Sequence, residues 1–99
     1  MAIQKKEIID VIYKAIGEAN NLAPSDAQIP LELESILLGK DSILDSLGLI
    51  NLIVEVEVLL AKDLGVEVVI LDEDELINPE GAYGTVRSFA ESIMQRIKQ

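Results

Sequence analysis

Apolar residues recur at helical spacing in three stretches of the chain: residues 3 to about 20, residues 45 to about 62, and the residues that follow a capping Thr85. Within each stretch they fall on one stripe, which is typical of an amphipathic helix packed on a core. The stripes are Ile9, Ile12, Ile16 and Ala19 with Ile8 beside them; Leu49, Leu52, Ile53, Val56 and Leu60; and Val86, Phe89, Ala90, Ile93 and Ile97. The pattern therefore predicts three principal helices.

The second stretch also carries a conflicting signal. Residues 54–58 alternate Val and Glu with period two and residues 66–70 are rich in β-branched side chains, so local propensity favours a β-hairpin. An isolated hairpin is marginal in water, and the sequence offers no third strand. The helical stripe favours a helix from 45 to about 62 that stops near Gly65, followed by an extended, core-packed connector. A hairpin over 52–71 stays open as the alternative.

The first loop, residues 21–44, is unusually long for a connection in a compact domain, so it should pack on the helices. One turn of helix is predicted near residues 34–38. The loop carries its own apolar side chains, which we expect to lie against the bundle: Leu22, Ile29, Leu31, Leu33, Ile36, Leu37 and Leu38.

A short helical turn is predicted after the connector. Asp72 and Glu75 have capping-box spacing, and residues 78–79 would end the turn with Leu76 and Ile77 pointing inward. This acidic cluster lacks the alternating ligands and central glycine of a calcium loop, so no metal site is predicted. The elements together predict an all-α fold, a small four-helix bundle of three principal helices plus one short helix with a long first loop.

Composition excludes several kinds of chemistry. The chain has 99 residues and a net charge of -10, from 18 acidic and 8 basic side chains, and it contains neither Cys nor His. Disulfides, thiolate zinc sites, cysteine nucleophiles and Ser-His-Asp catalysis are therefore ruled out. We expect a single domain over residues 1–99 that is not an enzyme, and any reactive thiol would have to come from a prosthetic group.

Charge and hydropathy also bear on partners and location. An acidic surface repels nucleic acid and anionic membranes and attracts basic partners, and it keeps an aliphatic-rich protein in solution. Residues 1–20 hold Glu7 and Asp10 among apolar positions, which argues against a signal peptide, and no apolar run approaches the ~18 residues that span a bilayer. We expect a cytoplasmic monomer without nucleic-acid or membrane partners.

The start of the second helix holds the candidate site. Asp45 is a good N-cap, because its carboxylate can accept a hydrogen bond from a first-turn N–H, and Leu44 and Leu49 have the spacing of a hydrophobic staple. Ser46 then becomes the first helical residue. Its hydroxyl would lie at the helix end where backbone donors and the macrodipole favour a phosphate by ~0.3–1 kcal/mol. Many Asp-Ser pairs at helix starts are nevertheless only caps.

The residues around this cap resemble those of a known family. The likeness is to the modification site and second helix of acyl and peptidyl carrier proteins, and it rests on Asp45-Ser46-Leu47, Ile50, Leu52 and Val56-Glu57. It covers roughly residues 44 to 97. The long first loop and Thr85-Val86 at the start of the last helix are similar to the same family.

The resemblance implies both a function and its site residues. A phosphopantetheinyl transferase would move phosphopantetheine from coenzyme A to Ser46, and the thiol of this arm would hold an acyl or aminoacyl group as a thioester. Asp45 and Leu47 would contact the loading and acyl-transfer enzymes, which dock through basic patches. Ile50 would contact the arm or its cargo, or would belong to the core.

Ser42 is a second candidate, because Asp41-Ser42-Ile43 also reads Asp-Ser-aliphatic and follows Leu38-Gly39-Lys40. A helix beginning at Ser42 would place Asp45, Ser46 and Gly48 inside it, three poor helix formers in four positions. The glutamate that recurs in the family eleven residues after the serine is Glu57 when counted from Ser46. Both arguments favour Ser46.

Departures from the family pattern point to a specialised carrier. Gly48 and Asn51 stand where fatty-acid carriers usually have acidic residues, and Leu44 replaces the residue that normally separates Gly from Asp-Ser. We therefore expect a pathway-specific carrier, with housekeeping fatty-acid synthesis as the alternative. A further alternative is an acidic adaptor or nucleic-acid mimic without covalent chemistry, in which Ser46 is only a helix-start residue.

Overall fold

The computed structural model describes residues 3–39, 42–72, 74–78 and 81–98, with the side chains of Ser46 and Lys98 outside the described part. It contains three α-helices, and α1 packs against both others. The described residues form no β-strand, which confirms the all-α prediction, and the predicted short fourth helix is one 3-10 turn. The elements are α1 (Lys5–Leu22), α2 (Ser46–Leu64), the 3-10 turn (Glu75–Ile77) and α3 (Val86–Lys98).

Helix α2 follows its predicted stripe. It ends at Gly65, whose φ of 66° lies in the left-handed region that glycine adopts without a side-chain penalty. Because residues 46–64 are helical, the hairpin alternative is wrong. The stripe residues are all buried: Leu49, Leu52, Ile53, Val56 and Leu60.

The opposite side of α2 explains the strand-like signal in the sequence. Leu47, Ile50, Val54 and Val58 lie three or four residues apart on a second line, which we call the outer stripe. Ile50 is half-buried and the other three are exposed. Since α2 is apolar on both sides, the buried Val56 and the exposed Val54 and Val58 alternate with glutamates as they would in a strand.

Helix α1 buries a slightly different face from the predicted one. Its buried face is rotated toward Val11 and Ala15, because α1 has to contact both α2 and α3. Ile9 and Ala19, which the stripe placed in the core, are only half-buried. The buried residues of α1 are Ile8, Val11, Ile12, Ala15 and Ile16.

The first loop packs mainly by capping α3. The N–H groups of Val86 and Arg87, at the start of α3, donate to the carbonyls of Ser35 (3.2 Å) and Leu33 (2.9 Å). Leu37 N–H donates to the Gly84 carbonyl at 2.9 Å. Residues 34–38 form no helical turn, so that prediction is wrong: the Ser35 carbonyl and the Leu37 N–H bond to the chain around the start of α3.

Only part of the apolar content of the loop reaches the core. Ile29 and Leu37 are buried, and Leu33 and Leu38 pack against the core from its edge. The expectation that all seven side chains lie on the bundle is wrong for Leu22, Leu31 and Ile36, which are exposed.

The connector over 66–71 is extended and packed as predicted, with burial alternating from one residue to the next. Tyr83, which is fully buried, fixes its end: the Tyr83 hydroxyl donates to the Ile70 carbonyl and accepts from Asp72 N–H at 2.9 Å. Phe89 meets the Tyr83 ring edge to face, with centroids 5.6 Å apart.

The 3-10 turn differs from its prediction in two ways. The Asp72–Glu75 capping box does not form, because Asp72 N–H donates to Tyr83 and Glu75 Oε2 accepts from Ala82 N–H at 3.0 Å. Leu76 is half-buried as expected, but Ile77 is 84% exposed. The predicted stop at Pro79 lies outside the described residues.

Helix α3 is confirmed in its cap and in its buried face. Thr85 and Ser88 cap reciprocally: Ser88 N–H donates to Thr85 Oγ1 (3.2 Å) and Thr85 N–H to Ser88 Oγ (3.0 Å). Ile97 is partly buried. The other stripe residues, Val86, Phe89, Ala90 and Ile93, are fully buried.

Stability should depend on the protonation of Tyr83. Burial raises the pKa of this phenol above its usual value of 10.0. The hydroxyl's contribution is therefore fully present below about pH 10, where the unfolded chain titrates, and is lost as pH rises through the higher folded pKa. Tyr83→Phe should lower the free energy of unfolding by about 1–3 kcal/mol at neutral pH, since it leaves two backbone groups unpaired.

Urea unfolding of both proteins across this pH range checks the prediction. The difference in unfolding free energy between native protein and Tyr83→Phe should shrink above about pH 10. A difference that stays constant with pH would show that the hydroxyl is not buried.

Candidate functional site

The first turn of α2 is built around the carboxylate of Asp45. Asp45 Oδ1 accepts a hydrogen bond from Gly48 N–H at 2.7 Å, and the Asp45 carbonyl accepts from Leu49 N–H at 2.9 Å. The Asp45 backbone is extended, as an N-cap requires. The predicted cap is confirmed, and α2 begins at Ser46.

Gly48 leaves room for the close packing of this turn. A Cβ built on Gly48 would lie 3.1 Å from Asp45 Oδ1 and 3.3 Å from Leu44 Cδ2, which is tighter than ordinary contact. Leu44 therefore lies over the first turn and lines the same surface cleft as Leu49. The glycine that looks like a poor helix former in sequence thus lets Leu44 and the cap approach the helix.

The residues that flank Ser46 are open to solvent. Asp45 is exposed, Leu47 is 66% exposed, and Ile50 is half-buried and outside the core cluster. The backbone N–H of Leu47 has no acceptor among the described residues, so it remains available at the helix end. The side chain of Ser46 lies outside the described residues, and the exposure of its hydroxyl stays a prediction.

Ser42, the second candidate, has a structural task in the loop. Its Oγ donates to the Leu37 carbonyl at 2.9 Å and accepts from Leu44 N–H at 3.1 Å. Ser42 is half-buried and does not start a helix. Any substituent on this oxygen would remove its hydrogen bond to the Leu37 carbonyl. Asp41 lies outside the described residues.

An apolar cleft of about 590 Å³ opens beside the cap. It lies between the end of the first loop, the start of α2 and the 3-10 turn, and Asp45 is a charged residue of its lining. A cleft of this size falls in the range that holds small organic ligands. The lining residues are Leu37, Leu38, Gly39, Leu44, Asp45, Leu49, Leu76 and Ile77.

Sequence reasoning missed how Glu57 acts in the fold. Glu57 Oε2 accepts from Ile70 N–H at 2.6 Å and from Leu71 N–H at 3.3 Å. It therefore ties the connector to α2 by satisfying two backbone donors. The alternation of the sequence gave no sign of this role, because the partners lie thirteen and fourteen residues away.

The chain has no His or Cys, and no cluster of three or more carboxylates that could hold a metal ion occurs among residues 3–39, 42–72, 74–78 and 81–98. The site offers a helix end with a free donor, an adjacent serine and an apolar cleft.

Within the described part of the chain, no helix has both the length and the apolarity required to cross a membrane.

Comparison with models of protein families found none that matches the chain, and comparisons with curated proteins and with solved structures found no significant match.

Proposed function

We propose that this protein is a free-standing carrier that holds an acyl or aminoacyl group as a thioester on a phosphopantetheine arm attached to Ser46. The observation that carries the proposal is the start of α2: an Asp45 cap followed directly by Ser46 at the first helical position. The resemblance of Asp45-Ser46-Leu47 to the carrier family supports it. The bonded hydroxyl of Ser42 supports the choice of serine.

The residues around Ser46 fit a phosphate ester. The free N–H of Leu47 and the positive end of the α2 dipole would face the phosphate oxygens. Asp45 already uses one carboxylate oxygen for the cap, which holds the turn in place. When attached, the arm supplies the thiol that this chain lacks.

The flanking residues would then guide the partner enzymes. Asp45 and Leu47 are exposed beside the attachment point, and Ile50 continues the outer stripe outside the core. Tethering the cargo raises its effective concentration at each partner active site, which is the physical gain of a carrier. The net charge of -10 would steer this cytoplasmic monomer to enzymes with basic docking patches.

The outer stripe favours a specialised pathway over housekeeping fatty-acid synthesis. The exposed Asn51 carries no carboxylate, Gly48 has no side chain, and Leu47 and Val54 are exposed on the outward side of α2. Partner enzymes would therefore meet an apolar surface with acidic surroundings. The chain itself would catalyse no step.

Incubation with coenzyme A, Mg²⁺ and a broad-specificity phosphopantetheinyl transferase, followed by intact mass spectrometry, tests the proposal. We expect the mass to rise by one phosphopantetheine group. An unchanged mass, with a known carrier labelled in the same reaction, would contradict the proposal and favour an acidic adaptor without covalent chemistry.

A further inference from the structure

The last turns of α1 and the first turns of α2 form a second recess beside the cap, which we call the α1–α2 groove. Its volume is about 350 Å³, and its lining shares only Leu44 with the apolar cleft next to the 3-10 turn. A recess of this size can hold a small organic group. Its apolar lining includes Ala19, Leu22, Leu44 and Leu52, and its acidic lining consists of Glu18 from α1 and Glu55 from α2.

The two glutamates of this groove have no cationic partner in the described part of the chain. Neither Glu18 nor Glu55 takes part in an ion pair, and no Lys or Arg is found among the described residues that line the groove. Lys14, one turn before Glu18 on α1, binds Asp63 at 3.1 Å instead. Because the two carboxylates come from the two helices that border one apolar recess, the potential inside it is negative and favours a cationic group.

The groove lies within reach of an arm on Ser46. Leu44 and Gly48, two residues before and after Ser46, both line it. Its far end at Glu55 is roughly 13 Å from Ser46 along α2, at the helical rise per residue. An extended phosphopantetheine arm is longer than this distance, and an arm that leaves from the first helical residue can turn to either side of α2. A cargo on the arm can therefore enter the groove.

We propose that the α1–α2 groove binds the cargo of the arm and that this cargo is an aminoacyl group with an apolar side chain. The inference rests on the proposed attachment of the arm to Ser46. An amino acid forms a thioester through its carboxyl group, so its amino group stays free. This group would lie near Glu18 and Glu55, whose carboxylates favour its protonated form. The apolar side chain would cover Leu22, which is 92% exposed in the free chain.

Charge distinguishes this cargo from a plain acyl chain. An uncharged chain placed next to Glu18 and Glu55 would remove water from two carboxylates without giving them a partner, which is costly. The cleft next to the 3-10 turn suits such a chain better, because the Asp45 carboxylate in its lining already accepts from Gly48 N–H at 2.7 Å. An ammonium group would donate charge-assisted hydrogen bonds to the two glutamates, so the groove prefers the aminoacyl cargo.

Two cargoes that differ only in the amino group test this inference: leucyl, and isocaproyl, which is leucyl without its amino group. The transferase moves either loaded arm from an amide-linked coenzyme A analogue to the ¹⁵N-labelled protein, and intact mass spectrometry checks the loading. We expect the leucyl arm to shift the amide signals of Ala19 and Asn51 relative to an arm without cargo. From these shifts, the ratio of bound to free cargo should be about tenfold higher for leucyl than for isocaproyl, which corresponds to about 1.4 kcal/mol.

Two double variants with the same loss of charge provide the control. Glu18→Gln combined with Glu55→Gln should reduce the leucyl shifts to the isocaproyl level, because the cation then loses both carboxylates. Glu32→Gln combined with Glu67→Gln changes two exposed residues outside the groove lining and should leave the leucyl shifts as they are in the native chain.

Three results would overturn the inference while the carrier proposal stands. They are equal shifts for the two cargoes, leucyl shifts that survive in the groove double variant, and leucyl shifts at Leu76 and Ile77 in the cleft in place of the groove. Failure of the chain to accept either arm is a different result, because it would contradict the attachment to Ser46 and this inference with it.

Discussion

Replacing Ser46 by alanine is expected to abolish the attachment of phosphopantetheine, whereas replacing Ser42 by alanine leaves it intact. The first change removes the hydroxyl that we propose as the acceptor at the α2 start, and the second removes a hydroxyl that already bonds to Leu37 and Leu44. Intact mass spectrometry after the transferase reaction measures both variants against the native chain.

Stability should rank the two variants the other way round: Ser42→Ala, which keeps the attachment, should be the less stable protein. Ser42→Ala should lower the free energy of unfolding by about 1–3 kcal/mol, since it leaves the half-buried Leu44 N–H without its acceptor. Ser46→Ala should change it by less than about 0.5 kcal/mol, because the proposal places this hydroxyl in solvent. If only Ser42→Ala lost the attachment, the acceptor would be Ser42, four residues before Ser46, and the proposal would be contradicted.

Phe89→Ala should destabilise the fold more than any surface change. Phe89 is fully buried, is the only phenylalanine of the chain, and packs edge to face on Tyr83. Truncating a buried phenylalanine costs about 3–5 kcal/mol, against a total stability of about 5–15 kcal/mol for typical domains. Urea unfolding followed by circular dichroism should therefore show a much lower midpoint. The Tyr83 ring would also lose its packing partner, which should weaken the hydrogen bond from its hydroxyl to the Ile70 carbonyl.

Gln95→Ala is the matched control on the same helix. Gln95 is exposed, and alanine is at least as good a helix former, so its unfolding free energy should stay within about 0.5 kcal/mol of the native value. Equal midpoints for the two variants would show that α3 does not bury Phe89.

Strong helical periodicity made α2 and α3 predictable. The α2 stripe from Leu49 to Leu60 and the α3 stripe from Val86 to Ile93 are buried as expected. The buried face of α1 was harder to predict, because the isoleucines of α1 lie on more sides of the helix than a single packed helix can cover. The packing of α1 on both α2 and α3 decides which of these isoleucines are buried. This packing is a tertiary property, and the spacing of Ile9 and its neighbours along the sequence does not reveal it.

The site was predictable only where its contacts are local. The Asp45 cap spans three residues and follows from the sequence alone. Ser42 bonds to Leu37 across a loop whose path depends on α3, and Glu57 reaches the connector through the turn at Gly65. The predicted capping box at Asp72 fails for the same reason, since Tyr83 takes the donor from eleven residues away.

Fragmentation of the modified protein is the most direct test of the central claim. Trypsin cleaves after Lys40 and Lys62, with no Lys or Arg between them, so one peptide, residues 41–62, contains both candidate serines. Tandem mass spectrometry of this peptide should place the phosphopantetheine on Ser46 and leave Ser42 unmodified. Finding the group on Ser42, or finding this peptide unmodified after the transferase reaction, would contradict the claim.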